Sequence, residues 1–183
     1  MPEDRADNGK RKDFLIAMLK RFYPKRYEAS AYVIPFEQYQ AKGYRGVIFD
    51  IDNTLALHGA PADEQALELF ERLREIGMKT CLLSNNKEMR VRDFAEKVDS
   101  PYLYKGGKPR VRGYERAMKL MDTERENTLF VGDQLFTDVY GANRAGIYSI
   151  LVKPMDPQEE IQIVLKRYLE KPVLYFYKRQ CLR

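Results

Sequence analysis

The sequence has few of the features that mark secreted or membrane-spanning proteins. It contains two cysteines among 183 residues, Cys81 in an apolar run and Cys181 near the end. So few cysteines argue against a disulfide framework and make a reducing cytoplasm the expected compartment. No apolar run approaches the roughly 20 residues that a transmembrane helix needs. Residues 1–10 have mixed charges and no apolar segment, so we expect no secretory signal there.

Positive charge is concentrated at the two ends of the chain, although the net charge is only +5. Residues 1–26 hold eight lysines and arginines against four acids, and residues 171–183 hold four against none. The body between them is therefore slightly acidic, and an anionic partner is expected to meet the ends. Residues 10–26 and 171–183 also carry apolar or aromatic side chains, a combination that suits the surface of an anionic membrane.

Short apolar runs and helical stripes alternate along most of the chain. A helix is predicted at residues 13–22, ending before Pro24, whereas residues 27–44 give no clear pattern. The alternation predicts an α/β fold, a three-layer Rossmann-like sandwich with a five-stranded parallel sheet and helices on both faces. Its elements are strand 46–51, helix 62–76, strand 79–83, helix 88–98, strand 101–104, helix 112–121, strand 128–131, helix 138–145, strand 148–152 and helix 158–170.

Polar side chains follow four successive strands of this predicted sheet, at the edge where such sheets bind ligands. Each cluster has an ordinary explanation when it is taken singly. Aspartates form turns, a Ser-Asn-Asn sequence can cap a helix, and a lysine can simply be solvated. Four clusters in succession at one edge predict a functional site instead. Their members are Asp50, Asp52 and Thr54 in FDIDNTL, Ser84, Asn85 and Asn86 in LLSNN, Lys108 behind two glycines, and Asp133 and Asp138 in VGDQLFTD.

These residue types suit the transfer of a phosphoryl group. Asp50 and Asp52 are two apart on an extended segment and point the same way, so that one can attack phosphorus while the other moves the proton. Converging carboxylates repel one another unless a cation lies among them, and a hard cation held by oxygen ligands and phosphate is typically Mg²⁺. Ser84 and Lys108 can then bind the phosphoryl oxygens.

Taken together, the four clusters resemble the motifs of the haloacid dehalogenase (HAD) superfamily of phosphohydrolases over roughly residues 45–153. The closer resemblance is to the capless subclass IIIA and its YqeG-type family, which implies a HAD fold with no large cap domain. By this resemblance Asp50 is the nucleophile and Asp52 the general acid and base. Phosphate would be bound by Thr54, Ser84, Asn85 and Lys108.

The resemblance also implies a metal site and a division of the chain. Mg²⁺ would be bound by the Asp50 carboxylate, the Asp52 main-chain carbonyl and Asp133, while Asp138 supports the metal or orients Lys108. The chain would then comprise a basic amphipathic helix and lead-in at 1–44, a HAD-like phosphohydrolase domain at 45–170, and a basic aromatic tail at 171–183.

Family members in mitochondria and plastids are phosphatidylglycerophosphate phosphatases, so the resemblance implies a phosphorylated substrate of the phospholipid-headgroup class. The gaps from Asp50 to Ser84 and from Ser84 to Lys108 are each filled by one predicted helix, which leaves no room for a folded cap. An open site suits a phosphate that is displayed on a large partner. A second copy of the chain in a homo-oligomer can also supply a lid.

Several alternatives stay open at this point. The substrate can instead be a phosphorylated protein, a nucleotide or another phosphate ester. A phospho-receiver domain has a similar sheet, but its acidic pair precedes its nucleophile. A HAD-fold adaptor that binds phospholipid or RNA surfaces is a third class, although no nucleic-acid motif is present. The basic ends can contact the inner face of a membrane or pack on the domain, and His58 can touch substrate or lie in solvent.

Overall fold

The computed structural model describes residues 17–156 and 161–181, with the side chains of residues 161–167 outside the description. In these residues six strands form one sheet in which every neighbouring pair is parallel. The strands are β1 (Arg26–Glu28), β2 (Gly46–Phe49), β3 (Lys79–Leu83), β4 (Tyr102–Leu103), β5 (Thr128–Gly132) and β6 (Tyr148–Val152). Their spatial order is β1-β6-β5-β2-β3-β4. Strands β5 and β2 therefore lie at the centre of the sheet.

Helices cover both faces of the sheet, as the alternation of elements predicts. They are α1 (Phe36–Ala41), α2 (Glu64–Glu75), α3 (Glu88–Val98), α4 (Val111–Met121), α5 (Tyr140–Ala145) and α6 (Ile161–Cys181). Successive residues of a strand point to opposite faces. Accordingly Phe49 packs against α1 and α2, while Ile48 packs against α4 and α5. The structure thus confirms the three-layer α/β sandwich.

The predicted number of five strands is wrong, because β1 adds a sixth strand within the residues that gave no clear pattern. Its sequence Arg-Tyr-Glu contains no apolar run, since it lies at the edge of the sheet and pairs only with β6. Tyr27 of β1 is paired with Leu151 of β6. The sheet therefore begins before residue 45, inside the segment that the sequence assigns to a lead-in.

The end of the chain also differs from the prediction of a helix that stops at residue 170. Helix α6 continues through Pro172 to Cys181. Proline removes one helical hydrogen bond, but Val173 and Tyr177, one turn apart, are both buried against the sheet in a cluster with Tyr23 and Leu151. This burial offsets the local cost of the proline, which a reading of the sequence alone treats as a stop.

The predicted helix at 13–22 falls partly outside the described residues. Residues 17–20 are helical, and the chain turns at residues 21–22, before Pro24. The Tyr23 ring then packs edge-on against the Tyr177 ring, with 5.5 Å between the ring centroids. The two ends of the described chain therefore contact each other.

All strands are parallel, so their carboxyl ends lie at one edge of the sheet, which we call the catalytic edge. A loop joins β2 to α2 there, and a shorter loop joins β3 to α3. Neither connection contains a further domain, as the prediction of a capless fold requires. Among the described residues, no helix combines the length and the apolar character that crossing a bilayer requires.

We predict that the docking of α6 contributes measurably to stability. Tyr177→Ala removes a side chain that is only 3% exposed, and we expect it to lower the free energy of unfolding by about 3 kcal/mol. Tyr175→Ala is the matched control, because Tyr175 lies on the same helix and is 59% exposed. We expect this control to change stability by less than about 0.5 kcal/mol. Equal effects in urea denaturation would show that α6 is not packed as described.

Candidate active site

The loop after β2 places two aspartates at different depths of the catalytic edge. The Asp50 main-chain N–H donates to Val131 O at 2.9 Å, which extends the pairing of β2 with β5 by one residue. The chain then turns at Asn53, whose backbone has a φ of 61° and whose N–H donates to Ala56 O at 2.7 Å. Asparagine tolerates this left-handed conformation better than most residues. Asp50 is consequently buried, whereas the Asp52 side chain is 17% exposed.

A buried lysine joins two of the predicted carboxylates. Lys108 Nζ lies 2.7 Å from Asp50 Oδ1 and 2.7 Å from Asp138 Oδ1. Burial alone lowers the pKa of Lys108, but the two carboxylates outweigh it and raise that pKa. Burial raises the pKa of Asp50 to about 7, with a further contribution from Asp138, although Lys108 opposes the rise. The pKa of Asp50 is raised even beside a cation because the cost of burying its charge outweighs the attraction of Lys108.

The loop after β5 supplies the second pair of aspartates. Asp133 follows β5 directly, and the Thr54 hydroxyl donates to Asp133 Oδ1 at 3.4 Å. A π-helix at Leu135–Val139 then carries Asp138 back to the strand end, where its Oδ2 accepts from the Gln134 N–H at 3.0 Å. A Cβ atom on Gly132 would lie 2.6 Å from Asp138 Oδ2. Glycine is required here because no larger residue leaves room for the carboxylate.

Three carboxylates converge closely enough to share one cation. One oxygen from each of Asp50, Asp133 and Asp138 lies within 4.8 Å of the others, and all three residues are buried. Buried carboxylates at this separation repel one another. Their oxygen-only donor set suits a hard divalent cation, so the residues present fit the metal that the fold implies. The Asp52 side chain is not a member of this cluster.

The Asp52 carboxylate is held by donors on the outer side of the site. Its Oδ1 accepts from the Gly59 N–H at 3.1 Å and from Arg90 Nη2 at 3.0 Å, and its Oδ2 accepts from Asn86 Nδ2 at 3.1 Å. His58 Nδ1 lies 4.0 Å from the same Oδ1. Burial raises the pKa of Asp52, but the Gly59 N–H, Arg90 and Asn86 together outweigh burial and lower the pKa.

The Ser-Asn-Asn sequence after β3 organises the loops of the site. The Ser84 hydroxyl, which is buried, accepts from the Asn86 N–H at 3.1 Å. Asn85 exchanges two hydrogen bonds with the main chain of Lys108, at 3.0 Å to the carbonyl and 2.8 Å from the N–H. The N-cap of α3 is Lys87, which makes no side-chain capping bond. The structure therefore does not support the alternative that this sequence simply caps the helix.

Similarity to known proteins identifies the family. A family model described as HAD-hydrolase-like matches residues 106–154. The Bacillus subtilis protein named probable phosphatase YqeG is 36% identical over 165 residues, which cover 89% of this chain and 96% of that protein. The chain belongs to the YqeG family of HAD-type phosphatases. This result confirms the resemblance, the HAD fold and the phosphatase activity that the motifs predict.

More distant relatives of this YqeG-family chain include plastid and mitochondrial proteins. The phosphatidylglycerophosphate phosphatase 1 of Arabidopsis thaliana is 29% identical over 161 residues, covering 82% of this chain and 46% of that protein. The chain thus spans about half the length of that relative. A solved structure of a candidate 3-deoxy-D-manno-octulosonate 8-phosphate phosphatase from Vibrio cholerae has a TM-score of 0.51 at 14% identity, over 69% of this chain and 77% of that chain. It shows the fold alone.

Two residues that contact the site in this chain could not be predicted from the sequence. Arg90 is one of many arginines on polar helix faces, and only the fold reveals its contact with Asp52. Glu170 of α6 is 2% exposed, and its Oε1 accepts from the Leu135 N–H at 2.8 Å, at the start of the π-helix that carries Asp138. It lies far along the chain from every motif, so motif spacing could not have indicated it.

We predict that Lys108 is needed for stability when divalent cations are removed by EDTA. Lys108→Met leaves two buried carboxylates without their cation, and we expect the free energy of unfolding to fall by about 3–5 kcal/mol. Lys79→Met is the matched control, since Lys79 pairs with Asp122 at 3.5 Å on the surface. The control is expected to cost less than about 1 kcal/mol. If both variants unfold at the same denaturant concentration, the buried pairing is not as described.

Proposed function

We propose that this phosphatase hydrolyses phosphomonoesters by forming an aspartyl phosphate on Asp50, with Mg²⁺ as its cofactor. The observation that carries the proposal is the position of the Asp50 carboxylate. It lies at the end of the central strand β2, within 2.7 Å of Lys108 Nζ and inside the cluster of three carboxylates. A phosphoryl group bound at this edge therefore meets a nucleophile, a cation and metal-binding oxygens together.

Asp50 and Asp52 divide the reaction in this proposal. An Asp50 oxygen attacks phosphorus, and the bond from phosphorus to the leaving oxygen breaks. Asp52 enters this step protonated, against the effect of its donors on its pKa, and donates the proton that the alcohol takes up. Asp52 then accepts a proton from water as the water attacks phosphorus. The bond from phosphorus to Asp50 breaks, which releases inorganic phosphate and restores the carboxylate. The outer position of Asp52 supports this division, because alcohol and water both approach from the open side.

The charges of the site support a divalent cofactor. Four carboxylates against one lysine and one arginine leave two net negative charges, which would repel an anionic substrate. Mg²⁺, when bound, would neutralise these charges and polarise the phosphoryl oxygens. The charged residues in this balance are Asp50, Asp52, Asp133, Asp138, Lys108 and Arg90.

Individual residues have proposed roles in binding the metal and the phosphate. Asp50, Asp133 and the Asp52 carbonyl would hold the metal, and Asp138 would support it through its contact with Lys108. Lys108 would also bind a phosphoryl oxygen. The other proposed phosphate-binding residues contribute to the same pocket, since they follow β2 and β3 at the catalytic edge. They are Thr54, Ser84 and Asn85.

The assay for this proposal is phosphate release from p-nitrophenyl phosphate with Mg²⁺. We expect EDTA to abolish the activity and added Mg²⁺ to restore it. Asp50→Asn removes the nucleophile and should lower kcat by at least about 1000-fold. Asp122→Asn is the control, because the Asp122 side chain is 98% exposed and remote from the motifs. Activity that survives in Asp50→Asn would contradict the assignment of the nucleophile.

The proposed substrate is the phosphomonoester of a phospholipid headgroup. Part of the support is the name of the Arabidopsis relative. The rest is the surface of the catalytic edge, where large apolar side chains are exposed on three loops and on the first turn of α3, each following a different strand, and exposed lysines accompany them. Apolar and cationic side chains together suit an anionic lipid surface. The apolar members are Leu57, Met89, Tyr104 and Met155, and the lysines are Lys87, Lys105 and Lys153.

Several described residues from the two ends of the chain lie at the other edge of the sheet. A groove of about 1310 Å³ is lined there by Lys20, Arg21, Tyr177 and residues that precede β2, β5 and β6. A membrane bound at this groove would thus lie away from the active site. We therefore propose that the catalytic edge, rather than the two ends, contacts the lipid on the inner, cytoplasmic face of a membrane. Both cysteines are free thiols, in keeping with that compartment.

Vesicle binding distinguishes the two edges. We expect Met89→Ser, which removes an apolar side chain that is 68% exposed, to weaken sedimentation with phosphatidylglycerol vesicles about threefold or more. Leu120→Ser is the matched control, because Leu120 is 52% exposed and lies near the start of β3, at the opposite edge. Loss of binding only in a variant with Lys20 and Arg21 both changed to Glu would instead assign the contact to the ends. No sedimentation of the unchanged protein would exclude membrane contact.

A further inference from the structure

Arg90 occupies an unusual position for a helix-surface arginine. It lies in the first turn of α3, and its side chain is only 15% exposed. Its guanidinium carbon lies 5.5 Å from the centroid of the buried Phe94 ring. Its Nε and Nη2 both donate to a single atom, Asp52 Oδ1, at 3.3 and 3.0 Å. The guanidinium is therefore fixed in place by a ring and a carboxylate.

This pairing leaves donors of Arg90 available for another anion. Guanidinium groups bind a carboxylate or phosphate best through two parallel hydrogen bonds to two oxygens. Here one carboxylate oxygen receives both bonds, while the other oxygen, Oδ2, is bound by Asn86. Among the described residues, Nη1 donates no hydrogen bond to protein. Asp52 thus uses only one edge of the guanidinium.

The proposed role of Asp52 indicates which part of a bound substrate would lie beside Arg90. If Asp52 protonates the leaving oxygen, as proposed above, the leaving alcohol must lie against Asp52 on its exposed side. Arg90 and Asn86 are in direct contact with Asp52, so the next chemical group of that alcohol meets them. A positively charged donor and an amide at this place favour a group that is anionic and rich in oxygen.

We propose that Arg90 and Asn86 form a subsite for a second anionic group carried by the leaving alcohol, and that its ligand is a phosphodiester. The proposal rests on the proposed function and adds a determinant of specificity to it. A headgroup in which glycerol links a phosphomonoester to a phosphodiester has this chemistry. A phosphomonoester without a second anion leaves the subsite unused and gains nothing from it.

The simpler explanation is that Arg90 only positions Asp52. The two roles differ in what they do to substrates whose leaving oxygens belong to the same kind of alcohol. A positioning residue affects the chemistry of every substrate alike, whereas a binding residue affects only substrates that contact it. The ratio of two kcat/KM values therefore separates the roles, even if both activities fall.

The test compares the deacylated headgroup glycerophosphoglycerophosphate with glycerol 3-phosphate, both with Mg²⁺. We expect Arg90→Gln to lower kcat/KM for the first substrate, relative to that for the second, at least tenfold. Arg90→Lys should lower this ratio less, since lysine keeps the positive charge but not the paired donors of the guanidinium. Arg92→Gln, on the same helix and half exposed, is the control and should leave the ratio unchanged. An equal fall for both substrates in Arg90→Gln would overturn the subsite.

A binding measurement keeps this proposal separate from the proposed function. Glycerophosphoglycerol, the dephosphorylated product, should bind Arg90→Gln at least tenfold more weakly than the unchanged protein in calorimetry with Mg²⁺ present. Equal affinity, or no binding to the unchanged protein, overturns the subsite whatever the activity. If product binding depends on Arg90 but neither phosphate ester is hydrolysed, the subsite stands and the proposed hydrolysis fails.

Discussion

The buried contact of Lys108 with Asp50 and Asp138 is the interaction on which the rest of the site depends. A lysine and two carboxylates are costly to bury, and they are stable only where the main chain holds all three close together. Asn85 fixes the main chain of Lys108, and the Tyr114 hydroxyl donates to the carbonyls of Thr137 and Asp138 at 2.9 and 3.1 Å. These hydrogen bonds thus help to hold the Lys108 ammonium between the carboxylates of Asp50 and Asp138, which follow β2 and β5.

The sequence predicts the layers of the fold and the membership of the site for physical reasons. Strands buried on both faces must be apolar along their whole length, so β2, β3, β5 and β6 stand out as short apolar runs. Parallel strands also bring the residues after them to one edge, which is why the sequence alone groups Asp50, Lys108 and Asp138.

What the sequence does not predict depends on tertiary contacts. Strand β1 has no apolar pattern because only one of its edges is paired, and α6 passes through Pro172 because Val173 and Tyr177 find a buried surface. Arg90 resembles any solvated arginine until α3 is packed beside the loop that holds Asp52. Local propensity contains no information about such partners, since they come from distant parts of the chain.

The contact of Glu170 with the Leu135 N–H ties the acidic loop to a helix from a distant part of the chain. Glu170 is 2% exposed, and its helix α6 is held on the fold by the buried side chains of Val173 and Tyr177. Any loosening of α6 would release the start of the π-helix that carries Asp138. The packing of a helix that supplies no motif residue and the position of the Asp138 carboxylate are therefore energetically coupled.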